Sequence, residues 1–416
     1  MNRCLVLLTT AFPFAGGEAY LEAEVPILAK RFDHIFLFAI GLEPGMAPTV
    51  ALPENVTVCN CAVHRAKKEK LSDVLHGVPT LFSLPDLPPE DLREAGRSAA
   101  RRAFLGYFLS RTKRHTAEIA QCIQCMDFSV FDEVIIYSYW LFAAASTAAS
   151  IKPLLRQKGA KQIRFISRAH GYDIYAERNA LSYLPCRTSI LQAADAVFPC
   201  SEHGKAYLTA RYPAFRDKIQ TSYLGAAAGE YTHGSADGTL RILSCGRVVP
   251  LKRLERIADA LRLLPRDCRV QWTHIGDGPA MGLLRKKIET LPGNIMVSLP
   301  GTLPHEQVLR YYRMHPVDVF VSVSGAEGLP VSAMEAMSFG VPIVMTDVGG
   351  CAELFDGEKN GVLLPADFSD AQLAATLQAV IAGGEEMREA ALDVWRRRFD
   401  ADNNYNRFAD RICEIV

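Results

Sequence analysis

Two carboxylates, Glu327 and Glu335, stand eight residues apart in the stretch Ser324-Gly325-Ala326-Glu327-Gly328-Leu329-Pro330-Val331-Ser332-Ala333-Met334-Glu335-Ala336-Met337. Glu327 falls in a Gly-flanked loop just past a β-forming run, where open α/β sheets hold their ligands. Pro330 suits the first turn of a helix, because its missing N–H has no partner there and its φ is already helical. From Pro330 to Thr346, Glu335 is the only charged residue among seventeen. A helix this apolar is mostly buried, and a bare carboxylate in it costs several kcal/mol. Glu335 therefore needs donors: the vicinal hydroxyls of a ribose would supply two, and backbone amides or a neighbouring arginine are the structural alternative.

The same helix start offers the N–H groups of Leu329, Val331 and Ser332 together with the positive end of its dipole, so Gly328, Leu329, Pro330 and Val331 form an anion site that fits a diphosphate. A second loop, Gly246-Arg247-Val248-Val249-Pro250-Leu251-Lys252, follows the predicted strand Leu240 to Ser244 and places two cations five residues apart. Arginine can clamp phosphate oxygens bidentately and lysine can act as a point charge, so Arg247 and Lys252 can neutralise charge growing on a departing diphosphate. As isolated residues they would be solvated surface charges. His170 lies in Ser167-Arg168-Ala169-His170-Gly171-Tyr172-Asp173, just after another predicted strand. A lone histidine is more often a satisfied core residue; the adjacent glycine and the strand-end position favour a site. Arg168 and Asp173 are weaker candidates, for acceptor contact or structure.

Positioning these groups requires sheets. From Thr239 onward, strand and helix patterns alternate, which predicts a parallel sheet covered on both faces. Its strands are Leu240 to Ser244, Val270 to Ile275, Asn294 to Leu299, Val317 to Val323, Val341 to Thr346 and Gly361 to Leu364. The N-terminal half repeats the scheme with strands near Leu5, His34 to Phe38, Val134 to Tyr137, Ile163 to Ser167 and Ala196 to Pro199. The expected division is an N-terminal Rossmann-like domain over 1–225, a Gly/Ala/Ser/Thr-rich join over 226–238, a C-terminal Rossmann-like domain over 239–395, and a helix over 396–416 returning to the first domain. An irregular, partly helical insertion occupies about 60–130.

Bulk properties agree. A chain of 416 residues exceeds what one core usually fills, and two domains of roughly 200 residues follow. With 49% hydrophobic and 22% charged residues neither half reads as disordered. Equal numbers of basic and acidic residues, 46 each, leave no global field to recruit nucleic acid. Eleven scattered cysteines suit reduced thiols in the cytoplasm, and Cys122 and Cys125 have no further ligands at zinc-site spacing. The N-terminal apolar run is too short for a signal peptide. Val134 to Ile151 carries no charge over eighteen residues, the length of a membrane span, yet it changes from β-formers to an Ala-rich tract and reads as a strand followed by a helix. Within the insertion, Arg93, Arg97, Arg101, Arg102, Arg111, Lys113 and Arg114 are interleaved with Phe104, Leu105, Tyr107, Phe108 and Leu109. Such a helix can lie on an anionic bilayer at the inner face of the cytoplasmic membrane, each cation adding roughly 1 kcal/mol; a solvated helix face is the alternative.

In order along the chain, Gly246-Arg247 with Lys252, Gly276-Asp277-Gly278-Pro279, Gly301, Glu327 to Glu335, Thr346-Asp347-Val348-Gly349-Gly350 with Glu353, and Asn360-Gly361 resemble the family 4 retaining glycosyltransferases of the GT-B fold. The resemblance is strongest from Leu240 to Leu364 and is closest to members serving bacterial exopolysaccharide and capsule synthesis. It implies two Rossmann-like domains facing across a cleft, with Arg247 and Lys252 on the diphosphate of a nucleotide-sugar donor, Glu335 on its ribose and Glu327 beside the transferred sugar. His170 would touch the donor sugar or leaving phosphate, and Gly16 and Gly17 in Phe12-Pro13-Phe14-Ala15-Gly16-Gly17-Glu18 match the family's glycine loop, whose backbone approaches the donor. The acceptor would be a saccharide or a lipid-linked saccharide. The family's chemistry retains the anomeric configuration, either through Glu327 as nucleophile or by front-face attack. No Asp-x-Asp metal motif stands in the cleft loops, so no metal or other cofactor is expected.

Overall fold

The computed structural model describes residues 1–14, 18, 20–41, 46–59, 73, 74, 76–81 and 86–414. Gly16 and Gly17, together with part of the 60–130 insertion, lie outside the described residues. Two compact units emerge: Met1–Ser222 with Tyr405–Val416, and Tyr223–Asn404.

The first unit holds β1 (Arg3–Thr9), β2 (His34–Ala39), β3 (Val56–Cys59), β4 (Glu133–Ser138), β5 (Gln162–Ala169) and β6 (Ala196–Pro199), in the spatial order β3-β2-β1-β4-β5-β6. The second holds β7 (Thr239–Cys245), β8 (Arg269–Ile275), β9 (Ile295–Gly301), β10 (Val319–Ser322), β11 (Ile343–Thr346) and β12 (Gly361–Leu364), in the order β12-β11-β10-β7-β8-β9. All pairs are parallel, with registers such as Leu5 opposite Ile35 and Ile135, and Ile242 opposite Trp272. Central strands covered on both faces read as near-continuous apolar runs, and β1 and β4 are accordingly buried almost end to end.

Counted from its own first strand, each sheet runs 3-2-1-4-5-6. The direction of growth thus reverses between β1 and β4, and again between β7 and β10. Doubly wound sheets bind ligands outside the carboxyl ends of strands at such reversals. The sequence reading omitted β3, a four-residue edge strand that is only partly buried.

The uncharged Val134 to Ile151 stretch is β4 followed by the helix Ala143–Gln157. Among the described residues no helix is long and apolar enough to cross a membrane. Residues 226–238 pack within the second unit: Thr232 donates its N–H to the Phe339 carbonyl at 3.1 Å, and Arg388 Nη2 reaches the Thr232 carbonyl at 2.6 Å. The C-terminal helix begins at Ala401, after a five-residue π-helical turn over Trp395–Phe399. From Tyr405 onward it belongs to the first unit, where Asp410 pairs with Arg31 at 2.7 Å.

The basic insertion departs from a free cationic face. Among its described residues stand the helices Pro89–Gly96 and Ala99–Ile123, the latter capped by the Ser98 hydroxyl, which accepts the Arg101 N–H at 3.1 Å. Arg101 donates to Glu94 and to the carbonyls of Leu181 and Ser182, Arg97 pairs with Glu94, and Arg114 pairs with Asp73. Arg102 is half-buried, and Arg111 donates to His115 Nε2 at 3.1 Å. Arg97, Arg101 and Arg114 are thus ion-paired within the unit, Arg93 and Lys113 stay exposed, and Leu105, Phe108 and Ile119 enter the core.

Candidate active site

In the second unit the loop after β7 is held from below by the loop after β8. Gly246 N–H donates to the Ile275 carbonyl at 2.9 Å, Val248 N–H to Asp277 at 3.0 Å, and Ala280 N–H to Val248 at 3.1 Å. Gly276 has φ +145°, and a Cβ there would collide with the Gly246 carbonyl. Glycine is therefore required for the two loops to lie this close. A buried relay fixes the same point: Trp272 Nε1 donates to Ser244 Oγ at 2.9 Å, Ser244 Oγ lies 2.8 Å from His274 Nδ1, and His274 Nε2 lies 3.1 Å from the Gly246 carbonyl. Because that carbonyl can only accept, Nε2 carries the proton and Nδ1 accepts from the serine.

Burial pushes the His274 pKa down from 6.5 to about 4, with nearby Lys252 acting in the same direction against the Gly246 hydrogen bond. The folded state thus disfavours a proton that the unfolded chain accepts. This contribution is present in full above pH 6.5 and is lost as pH falls toward 4. We expect stability to drop by about 3 kcal/mol across that window from this residue. Denaturant titrations at pH 4 and 7 on wild type and His274→Gln should show a smaller slope in the variant; an equal slope in both would exclude His274 as a contributor.

Lys252 ends the short 3-10 turn Pro250–Lys252 and sets its Nζ 2.5 Å from Glu327 Oε1. Three contacts hold the Glu327 loop in place. Gly325 N–H donates to the Leu251 carbonyl at 2.7 Å, Thr346 Oγ1 donates to the Ser324 carbonyl at 2.6 Å, and Gly350 N–H donates to Gly328 at 2.8 Å. Arg253 completes the junction. It adopts the left-handed region, φ 49°, and sends its guanidinium to the carbonyls of Val323 (2.7 Å), Ser324 (2.9 Å) and Ala366 (2.9 Å). The loops after β7 and β10 are thereby joined at the sheet's reversal point.

Pro330 stands one residue earlier than expected, as the N-cap in an extended conformation, and the helix runs Val331–Ser338. Its carbonyl accepts the Ala333 N–H at 3.2 Å. The N–H groups of Val331 and Ser332 remain in the first turn, without intrahelical acceptors. Gly328 and Leu329 lead into that start. Glu335 is buried at 7% exposure, and its Oε1 lies 2.9 Å from Nε2 of His305, an exposed residue opening the helix His305–Met314. Arg247 is exposed, and its guanidinium makes no hydrogen bond or ion pair among the described residues. Lys252 and Glu327 are thus brought into contact, whereas Glu335 has a partner of its own.

The first unit builds a separate constellation at its β1/β4 reversal. Glu18 accepts the backbone N–H groups of Thr10 (2.5 Å), Ala11 (3.0 Å) and Phe12 (2.8 Å), and the indole N–H of Trp140 at 2.8 Å. Burial raises its carboxyl pKa, but these donors outweigh burial and hold it below the ordinary value. Asp173, fully buried, accepts the N–H of His170 at 2.7 Å and of Leu141 at 2.9 Å, tying the loop after β5 to that after β4. The His170 ring packs against Tyr139 and Trp140 with centroids 4.6 and 4.4 Å away. Both ring nitrogens are buried without a hydrogen-bond partner, and Nδ1 lies 3.8 Å from Asp173 Oδ2. A buried polar group so placed is open to a ligand.

Arg168 is different. Its side chain is fully buried, ion-paired to Glu24 at 3.2 Å and bonded to Tyr137 Oη at 2.9 Å and the Ser222 carbonyl at 3.0 Å. Of its two expected roles, the structural one fits this enclosure. Sequence reasoning missed His305, Arg253, Glu18 and Trp140; Gly301 before His305 and the glycine loop before Glu18 were the nearest signals.

Residues 232–392 match the family described as glycosyl transferases group 1. The chain is 28% identical over 272 residues to WcaL of Salmonella typhimurium, named as a colanic acid biosynthesis glycosyltransferase, with 63% of this chain and 66% of that protein covered. It is 27% identical over 279 residues to the amylovoran biosynthesis glycosyltransferase AmsK of Erwinia amylovora, with 65% and 67% covered. The chain thus spans about two thirds of the length of these relatives. Among solved structures it is similar over its whole length to the lipopolysaccharide outer core galactosyltransferase WaaB, with TM-score 0.67, 15% identity and all of both chains covered. Anabaena HepE, solved in complex with UDP, gives TM-score 0.65 at 16% identity, covering 99% of this chain and 100% of that one. These likenesses and the two doubly wound sheets give the GT-B type of α/β fold expected from the sequence.

Proposed function

We propose, from the premise that residues 232–392 form a group 1 glycosyltransferase domain, that this chain moves a sugar from a nucleoside diphosphate carrier to a saccharide or lipid-linked acceptor in polysaccharide biosynthesis. The observation that carries the reading is the meeting of Lys252 and Glu327 at the β7/β10 reversal, beside the start of an apolar helix that buries Glu335. An anionic leaving group there meets an ammonium, the first-turn N–H groups of Val331 and Ser332, and the exposed Arg247. Glu335 offers the acceptor that ribose hydroxyls require, in exchange for or alongside His305. In the first unit, His170 has unpartnered ring nitrogens that would suit a sugar or phosphate, and Gly16 and Gly17 keep the donor-side role that the family resemblance implies.

In this reading transfer retains configuration by front-face attack: the leaving diphosphate oxygen takes the acceptor proton as the new glycosidic bond forms. The protein contributes orientation and charge stabilisation. The preference rests on where the cations lie, since Lys252 and Arg247 act on the leaving group and Lys252 occupies the Glu327 carboxylate. The reaction needs no metal in this reading, and we place it in the cytoplasm. Activity abolished by chelation and restored by Mn²⁺ would overturn the metal-independent part.

Identifying the donor comes first: UDP-, GDP- and ADP-sugars should be compared for protection against thermal unfolding, since a ligand bound only by the native state raises apparent stability. With the protecting nucleotide in hand, Glu335→Ala is expected to weaken its binding by roughly 10- to 100-fold, as befits the loss of hydrogen bonds to a charged group. Calorimetry on the folded variant measures this directly; an unchanged dissociation constant would remove Glu335 from the ribose.

A further inference from the structure

A cavity of about 290 Å³ in the first unit lies apart from every residue assigned above to donor or sugar, between the helix Pro89–Gly96 and the helix Arg187–Ala193. Four guanidinium groups line it: Arg93, Arg97, Arg187 and Arg211. Arg187 is the unusual one. It is 2% exposed, spends Nη2 on the Asp173 carbonyl at 2.5 Å, and leaves Nε and Nη1 buried with no hydrogen-bond partner. A buried, always-charged side chain with two idle donors at a cavity wall calls for an acceptor.

None of the acids on the cavity wall forms an ion pair with Arg187. Asp91 accepts the N–H groups of Thr188 and Ser189 and the Ser189 hydroxyl at 2.7 to 2.9 Å. Glu94 is shared among Arg97 at 3.0 Å, Arg101 at 2.9 Å and Arg211 at 3.9 Å. Glu90, exposed, is the remaining carboxylate on the wall. Arg93 and Arg97 are exposed, so the cavity can be reached from solvent. Burial holds the Arg187 pKa below its ordinary value, against the opposing pull of Tyr212, Asp173 and Asp91.

We propose that this cavity binds a phosphate group, gripped by Arg187 from the buried wall and by Arg93 and Arg97 from the rim. Several guanidinium forks around one space suit a multi-oxygen anion better than a single carboxylate. The phosphate can come free in solution or on a lipid headgroup. The site does not depend on the donor assignment, because none of its residues belongs to the second unit.

The test is hydrogen exchange on the full chain carrying Lys252→Ala, which weakens the donor site, with inorganic diphosphate, with vesicles of phosphatidylcholine containing phosphatidic acid, and with acetate. We expect amides of Leu184–Ser189 and of the Pro89–Gly96 helix to slow several-fold with diphosphate or with the acidic vesicles. Protection by diphosphate identifies a soluble source, and protection by vesicles alone a headgroup; either supports the site. Arg93→Gln combined with Arg97→Gln, both at exposed positions, should raise the half-saturating concentration about tenfold. Arg187→Lys, which keeps the charge but loses the fork, should do the same. No protection of these segments by either phosphate source, or equal protection by acetate, overturns the proposal. Diphosphate that protects only 246–252 in the unaltered chain would overturn it while leaving the donor reading intact.

Discussion

Lys252→Ala should lower turnover at saturating donor by a factor of about 100 or more, the loss expected when one stabiliser of a developing anion is removed. In the free protein the ammonium sits 2.5 Å from Glu327 Oε1, with the two side chains 24% and 13% exposed. In the proposed reaction Glu327 would hold the lysine at the sheet reversal until a more highly charged diphosphate competes for it. Arg253 and the Gly325 to Leu251 hydrogen bond fix the two loops independently of the lysine side chain. The variant should therefore fold normally and lose charge, not architecture. Lys252→Arg should recover part of the rate, since the charge returns in a different shape. Near-native turnover in the alanine variant, with donor affinity unchanged, would take Lys252 out of the chemistry.

The sheets were legible because their strands are buried on both faces and announce themselves as apolar runs; β3 escaped because it is an edge only four residues long. The places of the candidate residues in the second unit were legible for a related reason. Its loops follow strands directly, so Arg247, Lys252 and Glu327 inherit their places from β7 and β10, and the rarity of charge around Glu335 betrays burial. What the sequence hides is pairing across distance. The His305 to Glu335 contact joins residues 30 apart, Arg253 to Val323 spans 70, and Trp140 to Glu18 spans 122. No local spacing encodes these. Pairing inside the insertion is equally hidden: Glu94 meets Arg97 and Arg101, and Asp73 meets Arg114.

Arg168 makes the same point in energetic terms. Arg168→Met is expected to cost the first unit about 3–5 kcal/mol, because removing one member of a buried pair strands the other charge. Its partner Glu24 is fully buried on the helix Leu21–Ala29 and also accepts the Tyr137 hydroxyl at 2.7 Å. The guanidinium further stacks 3.9 Å from the Phe408 ring centroid on the C-terminal helix, so one side chain joins β5, β4, the first helix and the last. Burial alone would lower the pKa of Arg168, but Glu24 and the surrounding tyrosines reverse this and hold it above the ordinary value. If the loss comes from the stranded carboxylate, Glu24→Gln added to Arg168→Met should restore part of the stability, since a neutral pair carries a smaller desolvation penalty. Denaturant unfolding measures both, and nucleotide binding by the second unit should be unchanged in each. A variant that keeps wild-type stability yet fails to transfer sugar would return Arg168 to acceptor contact.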